Sequence, residues 1–366
     1  MSFAKSALLK SIQRRPLWMM AAAAAACKPN AIRPNLTARC TRPCTALRAY
    51  SSRPVEASGQ PSVPHRSKVT IKTINRMYKN GEPISVMTAQ DYPSGMMVDR
   101  SGIDMCLVGD SLAMVALGYD STNPLTVDEM LHHCRAVARG CKAPFLVADL
   151  PYGSYEASPD DAVRVSLRFL KEGNVEAVKL EGGAEMAETI RRITTVGVPV
   201  VGHIGLTPQR QSALGGFRVQ GKTAKQAQRL LEDALAVQDA GAFAIVLEAM
   251  PSEVAGYITQ RLRVPTIGIG AGVHCSGQVL VQNDALGLFD RFVPKFTKQF
   301  ANLNQVMTDA LKQYHLEVKS RTFPAPQNTY PIDQQQLEKF YQLVDERGDE
   351  RQDNREEQTV AAHAHA

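Results

Sequence analysis

The stretch MCLVGDS at residues 105–111 decides the fold, because a short apolar run there ends abruptly in a carboxylate and a hydroxyl. The same design recurs in PFLVADLP at 144–151, AVKLEGG at 177–183, VVGHIGLTP at 200–208 and FAIVLEAMP at 243–251. Apolar runs of this length, separated by helix-length spacers, indicate parallel strands that are joined by helices.

The polar residues at the ends of these runs predict how the strands are arranged. A carboxylate buried in mid-strand is costly, so the acidic residues should lie at the carboxyl ends of the strands. Several such ends meet at one place on the top face of a (β/α)8 barrel. We therefore predict the α/β class and a (β/α)8 TIM barrel. Its eight strands are expected at 84–89, 105–108, 145–148, 177–180, 199–202, 243–247, 266–269 and 279–282.

A helix is predicted before the first strand. Thr70 can cap a helix that ends at Gly81. Ile71, Ile74 and Met77 would lie on one face of that helix. Such an N-terminal capping helix would close the lower end of the barrel. Between the seventh and eighth apolar runs, the sequence shows no convincing helix.

Charge divides the chain into a basic leader and a mildly acidic body. The formal net charge is +6, but residues 1–55 hold ten Lys and Arg and no Asp or Glu, so residues 56–366 carry −4. An Arg- and Ser-containing, Ala-rich, acid-free leader is typical of a mitochondrial transit peptide, which places the protein in the matrix. A secretory signal is the alternative, since 17–27 is apolar, although that stretch is too short to span a bilayer. The acidic body gives no support for nucleic-acid binding.

Composition divides the chain into four parts: a transit peptide at 1–52, a polar linker at 53–67, the catalytic barrel at 68–320 and a polar, largely disordered tail at 321–366. The last barrel helix is expected near 297–314, and one short amphipathic helix is possible near 337–344. The four cysteines outside the leader form no CxxC pair. The sequence therefore indicates neither a zinc site nor a disulfide framework.

Three carboxylates at the ends of the second, third and fourth strands suggest a metal site. Asp110, Asp149 and Glu181 offer hard oxygen donors, with no cysteine and few histidines nearby. Such donors suit Mg²⁺, which keeps waters and shares itself with the substrate. Each residue taken singly could instead be a helix N-cap or a surface acid, but three at equivalent barrel positions favour the metal site.

Four further residues are candidates for binding and catalysis. Ser111 could donate to a substrate oxygen or merely cap the next turn. Lys179 should point to the same face as Glu181 and bind an anion, unless the two form a structural ion pair. His203 could hydrogen-bond the substrate or be a satisfied core histidine. Glu248 follows a very apolar run, which favours a general base, although a loop cap is the alternative.

Two glycine-rich segments invite functional interpretations. GIGAG at 268–272 is GxGxG rather than GxGxxG, and no helix that opens on glycine follows, so the nucleotide fingerprint is weak. LGGFRVQG at 214–221 lies between the fifth strand and its helix. Its apolar and basic tip between glycines suggests a mobile lid, with an ordinary long loop as the alternative.

Eight phrases resemble the ketopantoate hydroxymethyltransferase family and cover, in order, residues 68–315: VGDSLAM, GYDSTNPLTVDEM, VADLPYGSY, KLEGG, GHIGLTPQ, GGFRVQGK, VLEAMP and PTIGIGAG. The resemblance implies a Mg²⁺-dependent (β/α)8 barrel that assembles as a homodecamer. It also implies transfer of the one-carbon unit of 5,10-methylenetetrahydrofolate, as co-substrate, to 3-methyl-2-oxobutanoate, on the route to pantothenate and coenzyme A. The resemblance implies no nucleic-acid or membrane partner.

The resemblance also implies roles for single residues. Asp110 and Asp149 would bind the metal with Glu181 completing its shell. The oxo acid would be held by Ser111 and Lys179, together with the two aspartates through the metal. Glu248 would be the proton acceptor and His203 a histidine near the substrate. One departure is Gln90 in TAQDY, where the family often has an aromatic residue.

Two alternatives remain open. A Mg²⁺-dependent 2-oxo acid lyase of the isocitrate lyase or phosphoenolpyruvate mutase kind shares the barrel and the metal chemistry, and retro-aldol activity without folate would distinguish it. Outside enzymes, the basic leader would suit a mitochondrial RNA-binding protein. The mature N-terminus decides that question, because removal of residues 1–50 abolishes the basic patch.

Overall fold

The structure, a computed structural model, describes residues 66–345. Eight parallel strands form a closed barrel in sequence order, and β8 pairs with β1. The strands are β1 (Ile84–Thr88), β2 (Met105–Val108), β3 (Phe145–Asp149), β4 (Ala177–Glu181), β5 (Val200–Gly205), β6 (Ala244–Glu248), β7 (Thr266–Ile269) and β8 (Gly277–Leu280). The predicted (β/α)8 barrel is confirmed, and every predicted strand is present.

Helices alternate with these strands along most of the chain. They are α1 (Ile71–Asn80), α2 (Tyr92–Arg100), α3 (Leu112–Val115), α4 (Val127–Gly140), α5 (Pro159–Glu172), α6 (Ala187–Thr195), α7 (Gln211–Leu214), α8 (Ala224–Asp239), α9 (Ser252–Arg261), α10 (Gln282–Ala285) and α11 (Leu303–Lys319). Within the described ranges no helix separates β7 from β8, as predicted. No helix among residues 66–345 is long and apolar enough to cross a membrane.

The first helix closes the lower end of the barrel. Thr70 caps α1 by accepting a hydrogen bond from the backbone N–H of Thr73. Ile74 and Met77 on the inner face of α1 are buried in one apolar cluster with interior residues of all eight strands, among them Val86 of β1. Burial of these side chains holds the helix against the strands, so the predicted capping helix is confirmed.

The strand register positions the polar residues. All residues of β2, β3 and β4 are buried, which fits the continuous apolar runs of a parallel sheet covered on both faces. Asp149 on β3 pairs with Lys179 on β4, and Glu181 on β4 pairs with His203 on β5. Four polar side chains from three neighbouring strands therefore meet at the upper end of the barrel.

The last long helix, α11, differs from the expected barrel helix. It begins at Leu303, six residues later than predicted, because Asn302 caps its first turn. None of its residues is buried, and Val306, Leu311 and Leu316 are exposed by 62%, 67% and 60%. Within the predicted tail, residues 334–345 form the short helix that the apolar spacing suggested. The predictions for 1–52, for most of the linker and for 346–366 lie outside the described residues.

Candidate active site

A cavity of about 560 Å³ opens at the carboxyl ends of the strands. All seven residues that the sequence singled out line it: Asp110, Ser111, Asp149, Lys179, Glu181, His203 and Glu248. The structure thus brings every predicted site residue to one place, while their individual roles stay predictions.

The strand ends set the direction of the acidic side chains. Asp149, Glu181 and Glu248 are the last residues of β3, β4 and β6, where a carboxylate leaves the apolar interior for the cavity. Asp110 follows β2 directly after Gly109. Ser111 stands at the start of α3 and lines the cavity, and its side chain makes no capping hydrogen bond.

Lys179 is buried, and its ion-pair partner is Asp149. The sequence had left open an ion pair with Glu181 instead. Its Nζ lies 2.9 Å from Asp149 Oδ1 and 3.2 Å from His203 Nδ1. Burial acts against the charged ammonium, but the carboxylates of Asp149, Glu181 and Asp110 outweigh it and raise the pKa of Lys179. Burial also raises the pKa of Asp149, although the neighbouring ammonium opposes that shift. A lysine that stays cationic in this cavity is suited to bind an anionic substrate.

His203 lies between two carboxylates. Its Nε2 is 3.1 Å from Glu248 Oε2, and its Nδ1 is 3.4 Å from Glu181 Oε1. Burial and Lys179 lower the pKa of His203, but the adjacent carboxylates of Glu181 and Glu248 outweigh them and raise it to about 9. The imidazolium therefore forms an ion pair with the Glu248 carboxylate, which reaches the cavity with 13% of its side chain exposed.

Gln209, which the sequence analysis did not single out, connects these groups. Its side-chain Nε2 donates to Asp110 Oδ2 at 2.9 Å, and its backbone N–H donates to Glu181 Oε2 at 3.0 Å. Its Oε1 accepts a hydrogen bond of 2.6 Å from the Tyr155 hydroxyl, which in turn accepts from the Glu181 N–H. Both Gln209 and Tyr155 are buried. The only signal for them was their place inside the quoted phrases GHIGLTPQ and VADLPYGSY.

The fit to a metal ion is partial. Among residues 66–345 no group of three or more His, Cys, Asp and Glu side chains is arranged to hold a metal ion. All three carboxylates have partners in the structure: Glu181 contacts Gln209 and His203, Asp110 contacts Gln209, and Asp149 contacts Lys179. Asp110 and Asp149 are adjacent, since the Asp110 N–H donates to Asp149 Oδ2 at 2.9 Å. Two carboxylates with waters and substrate are a usual set for Mg²⁺, so the donor chemistry fits this ion without a third carboxylate.

The mouth of the cavity is lined by two segments. One is the tip of the 214–221 loop, with Phe217, Arg218 and Val219, and the other follows α10 and carries Phe289, Phe292, Lys295 and Phe296. The tip of the glycine-rich loop thus faces the site, as a lid would, although its closure stays a prediction. GIGAG at 268–272 spans the end of β7 and the start of the turn to β8, and Gly270 and Gly272 in that turn have φ of 63° and 81°.

Known proteins are similar to this chain over most of its length. A family model described as ketopantoate hydroxymethyltransferase matches residues 68–326. A protein from Emericella nidulans named 3-methyl-2-oxobutanoate hydroxymethyltransferase is 56% identical over 319 residues, covering 87% of this chain and 90% of that protein. One of the same name from Carboxydothermus hydrogenoformans is 52% identical, covering 75% of this chain and 99% of that protein. A rice protein named 3-methyl-2-oxobutanoate hydroxymethyltransferase 2, mitochondrial, is 54% identical, covering 72% and 67%.

Proposed function

The chain belongs to the ketopantoate hydroxymethyltransferase family, and we propose that it uses 5,10-methylenetetrahydrofolate and Mg²⁺ to convert 3-methyl-2-oxobutanoate into 2-dehydropantoate. As a member of the family it is a hydroxymethyltransferase of pantothenate synthesis. The observation that supports the detailed reaction best is the arrangement of Lys179, His203 and Glu248 in one cavity. A cation suited to an anionic substrate and a candidate base thereby line the same space.

The oxo acid is held by residues at the ends of β2, β3 and β4. Lys179 has three N–H donors. One faces Asp149 and Nζ also contacts His203 Nδ1, so at least one donor remains for the substrate carboxylate. Ser111 donates its hydroxyl hydrogen to a substrate oxygen. Asp110 and Asp149 would hold Mg²⁺, with Glu181 in its surroundings. When bound, this ion supplies Lewis acidity at the keto oxygen.

Glu248 removes the proton at C3 of the oxo acid. The carboxylate lines the cavity, and its Oε2 lies 3.1 Å from His203 Nε2. Loss of the C3 proton gives an enolate. One methylene C–N bond of the folate donor breaks, its nitrogen takes up a proton, and C3 of the enolate forms the new bond to the methylene carbon. Water then replaces the second folate nitrogen, supplies the hydroxyl of 2-dehydropantoate and releases tetrahydrofolate. The proton accepted by Glu248 comes from C3 and not from the donor, so this step is independent of folate.

An assay of the purified body with 3-methyl-2-oxobutanoate, methylenetetrahydrofolate and Mg²⁺ tests the proposal. We expect 2-dehydropantoate to form only when all three are present. Cleavage of a 2-oxo acid without folate would instead identify a lyase of the isocitrate lyase or phosphoenolpyruvate mutase kind. No turnover of the oxo acid under any of these conditions would refute the proposal.

Location and assembly extend the proposal. We propose import into the mitochondrial matrix, which the acid-free leader and the mitochondrial name of the rice relative support. We also propose a homo-oligomer, a decamer by family resemblance. The exposed apolar residues of α11 support association, because a helix of this kind gains by covering such residues.

A further inference from the structure

One buried acidic residue of the cavity has no part in the reaction described above. Asp284 lies in α10, immediately after β8, and lines the cavity with only 8% of its surface exposed. Within residues 66–345 its carboxyl forms no hydrogen bond or ion pair with another side chain, and burial alone raises its pKa to about 6. A buried carboxyl with unused acceptor oxygens is costly to keep unless a ligand engages it.

The two preceding residues are fully engaged in fixing the position of Asp284. The backbone N–H of Gln282 donates to Thr88 Oγ1 at 2.9 Å. Asn283 accepts a hydrogen bond of 3.0 Å from Gln90 Nε2 and donates one of 3.0 Å to the carbonyl of Val115. These bonds tie the short helix to the end of β1 and to α3. The helix that carries Asp284 is therefore held in place, with Asp284 at the wall of the cavity.

Aromatic side chains of the segment that follows α10 line the same cavity. Phe289 and Phe292 pack edge to face with their ring centroids 5.6 Å apart. Phe296 lies against Gly270, where a Cβ would approach its Cδ1 to 2.7 Å, so glycine makes room for this ring. Phe292 is 50% exposed and Phe296 is 38% exposed, so part of each ring is free to contact a ligand. Lys295 adds a cation to the same segment.

We propose that this wall of the cavity is the subsite for the pteridine ring of the folate donor, with Asp284 as its recognition residue. The inference rests on the proposed function, which requires a folate beside the oxo acid. The 2-amino-4-oxo ring of a folate presents two N–H donors, at N3 and on the 2-amino group, along one edge. A carboxylate accepts both at once through its two oxygens.

The remaining features of the wall match the rest of the folate molecule. Phe292 and Phe296 offer flat apolar surface to a bicyclic ring, for which offset or edge-to-face contact is favourable. Lys295 and Arg218 of the 214–221 loop are cations that line the same cavity and would pair with the carboxylates of the folate glutamate. Lys179 and the carboxylates around it come from the ends of β2 to β4 and serve the oxo acid, whereas Asp284 and the aromatic segment follow β8. The two substrates would thus be bound by residues from different strands of one barrel.

Calorimetric titration of the full chain with 5-formyltetrahydrofolate, a stable folate, tests the subsite. Asp284→Asn retains the shape of the side chain but replaces one acceptor by a donor. We expect its Kd to rise by about 10- to 100-fold, as for loss of one charge-assisted hydrogen bond. Asp290→Asn, the same change on the exposed segment after α10, is the matched control and should bind as the unmodified chain does. Binding of 3-methyl-2-oxobutanoate with Mg²⁺ on the same samples shows whether the centre is intact.

A change in the ligand provides a second measurement that needs no variant. The unmodified chain should bind a tetrahydrofolate without its 2-amino group at least 10-fold more weakly than tetrahydrofolate, since the loss leaves a buried acceptor unpaired. Asp284→Asn should discriminate less between the two. Equal affinity of the unmodified chain for both ligands overturns the inference, as does an unchanged Kd in Asp284→Asn. Exchange of the C3 proton without any folate binding would overturn the subsite alone, whereas absence of both would overturn the proposed function as well.

Discussion

Replacement of Glu248 by glutamine isolates the role of its carboxylate as the base. Glutamine has the same shape and can still present an oxygen to His203 Nε2, which lies 3.1 Å from Glu248 Oε2. It cannot accept the C3 proton. The change leaves Asp110 and Asp149 untouched, so binding of the oxo acid with Mg²⁺ should persist. What is lost is the transfer of the proton.

The expected magnitude follows from general-base catalysis. Loss of a positioned base typically lowers a rate by roughly 10²- to 10⁴-fold. In D₂O, the unmodified chain with Mg²⁺ and 3-methyl-2-oxobutanoate should exchange the C3 proton without folate, and Glu248→Gln should exchange it slower by about that factor. The variant should also lower the pKa of His203 from about 9, because Glu248 is one of two carboxylates that raise it. His203 would then lose its proton at a lower pH.

Proton NMR follows both the C3 signal and the His203 ring, and calorimetry follows binding of the oxo acid. Glu253→Gln, on the exposed first turn of α9, removes the same charge away from the cavity and serves as the control. Undiminished exchange in Glu248→Gln would refute the assignment and make His203 the next candidate. Loss of binding together with exchange would show that Glu248 is structural.

Four further predictions follow from the site and the chain. Asp110→Asn and Asp149→Asn should each weaken Mg²⁺ binding and activity together; wild-type activity at limiting Mg²⁺ would show that the residue is not a ligand. Gln209→Leu should lower the free energy of unfolding in urea by about 2–3 kcal/mol, because it leaves buried partners such as the Tyr155 hydroxyl unpaired; an unchanged midpoint would contradict this. N-terminal sequencing of the organellar protein should find the leader removed, and a start before residue 45 would count against import. Sedimentation should show an oligomer, which a stable monomer at micromolar concentration would exclude.

The barrel was predictable because its strands are buried on both faces and read as continuous apolar runs. The eighth strand was placed two residues late, since it opens with Gly277 and the exposed Gln278, which carry no apolar signal. The start of α11 was placed too early because amphipathic spacing alone does not reveal the cap at Asn302.

The site was predictable only where a residue's place on its own strand determines its direction. Asp149, Glu181 and Glu248 follow that rule. The partner of Lys179 depends on the register between β3 and β4, which one strand's pattern does not contain. Gln209 and Asp284 acquire their roles from contacts across the barrel, such as the bond from Gln209 to Asp110, and these are invisible in the local sequence.

The apolar cluster that α1 closes has a consequence for how the molecule opens. The lower half of the barrel is packed by apolar side chains, whereas the upper half holds ionisable groups whose burial opposes folding. Hydrogen exchange should therefore be slowest at the backbone amides in the first residues of the strands and faster at those in the last residues. The part of the barrel that most resists unfolding is thus not the part that carries the candidate catalytic residues. Substitutions around the cavity can alter the reaction while the lower half continues to hold the barrel together.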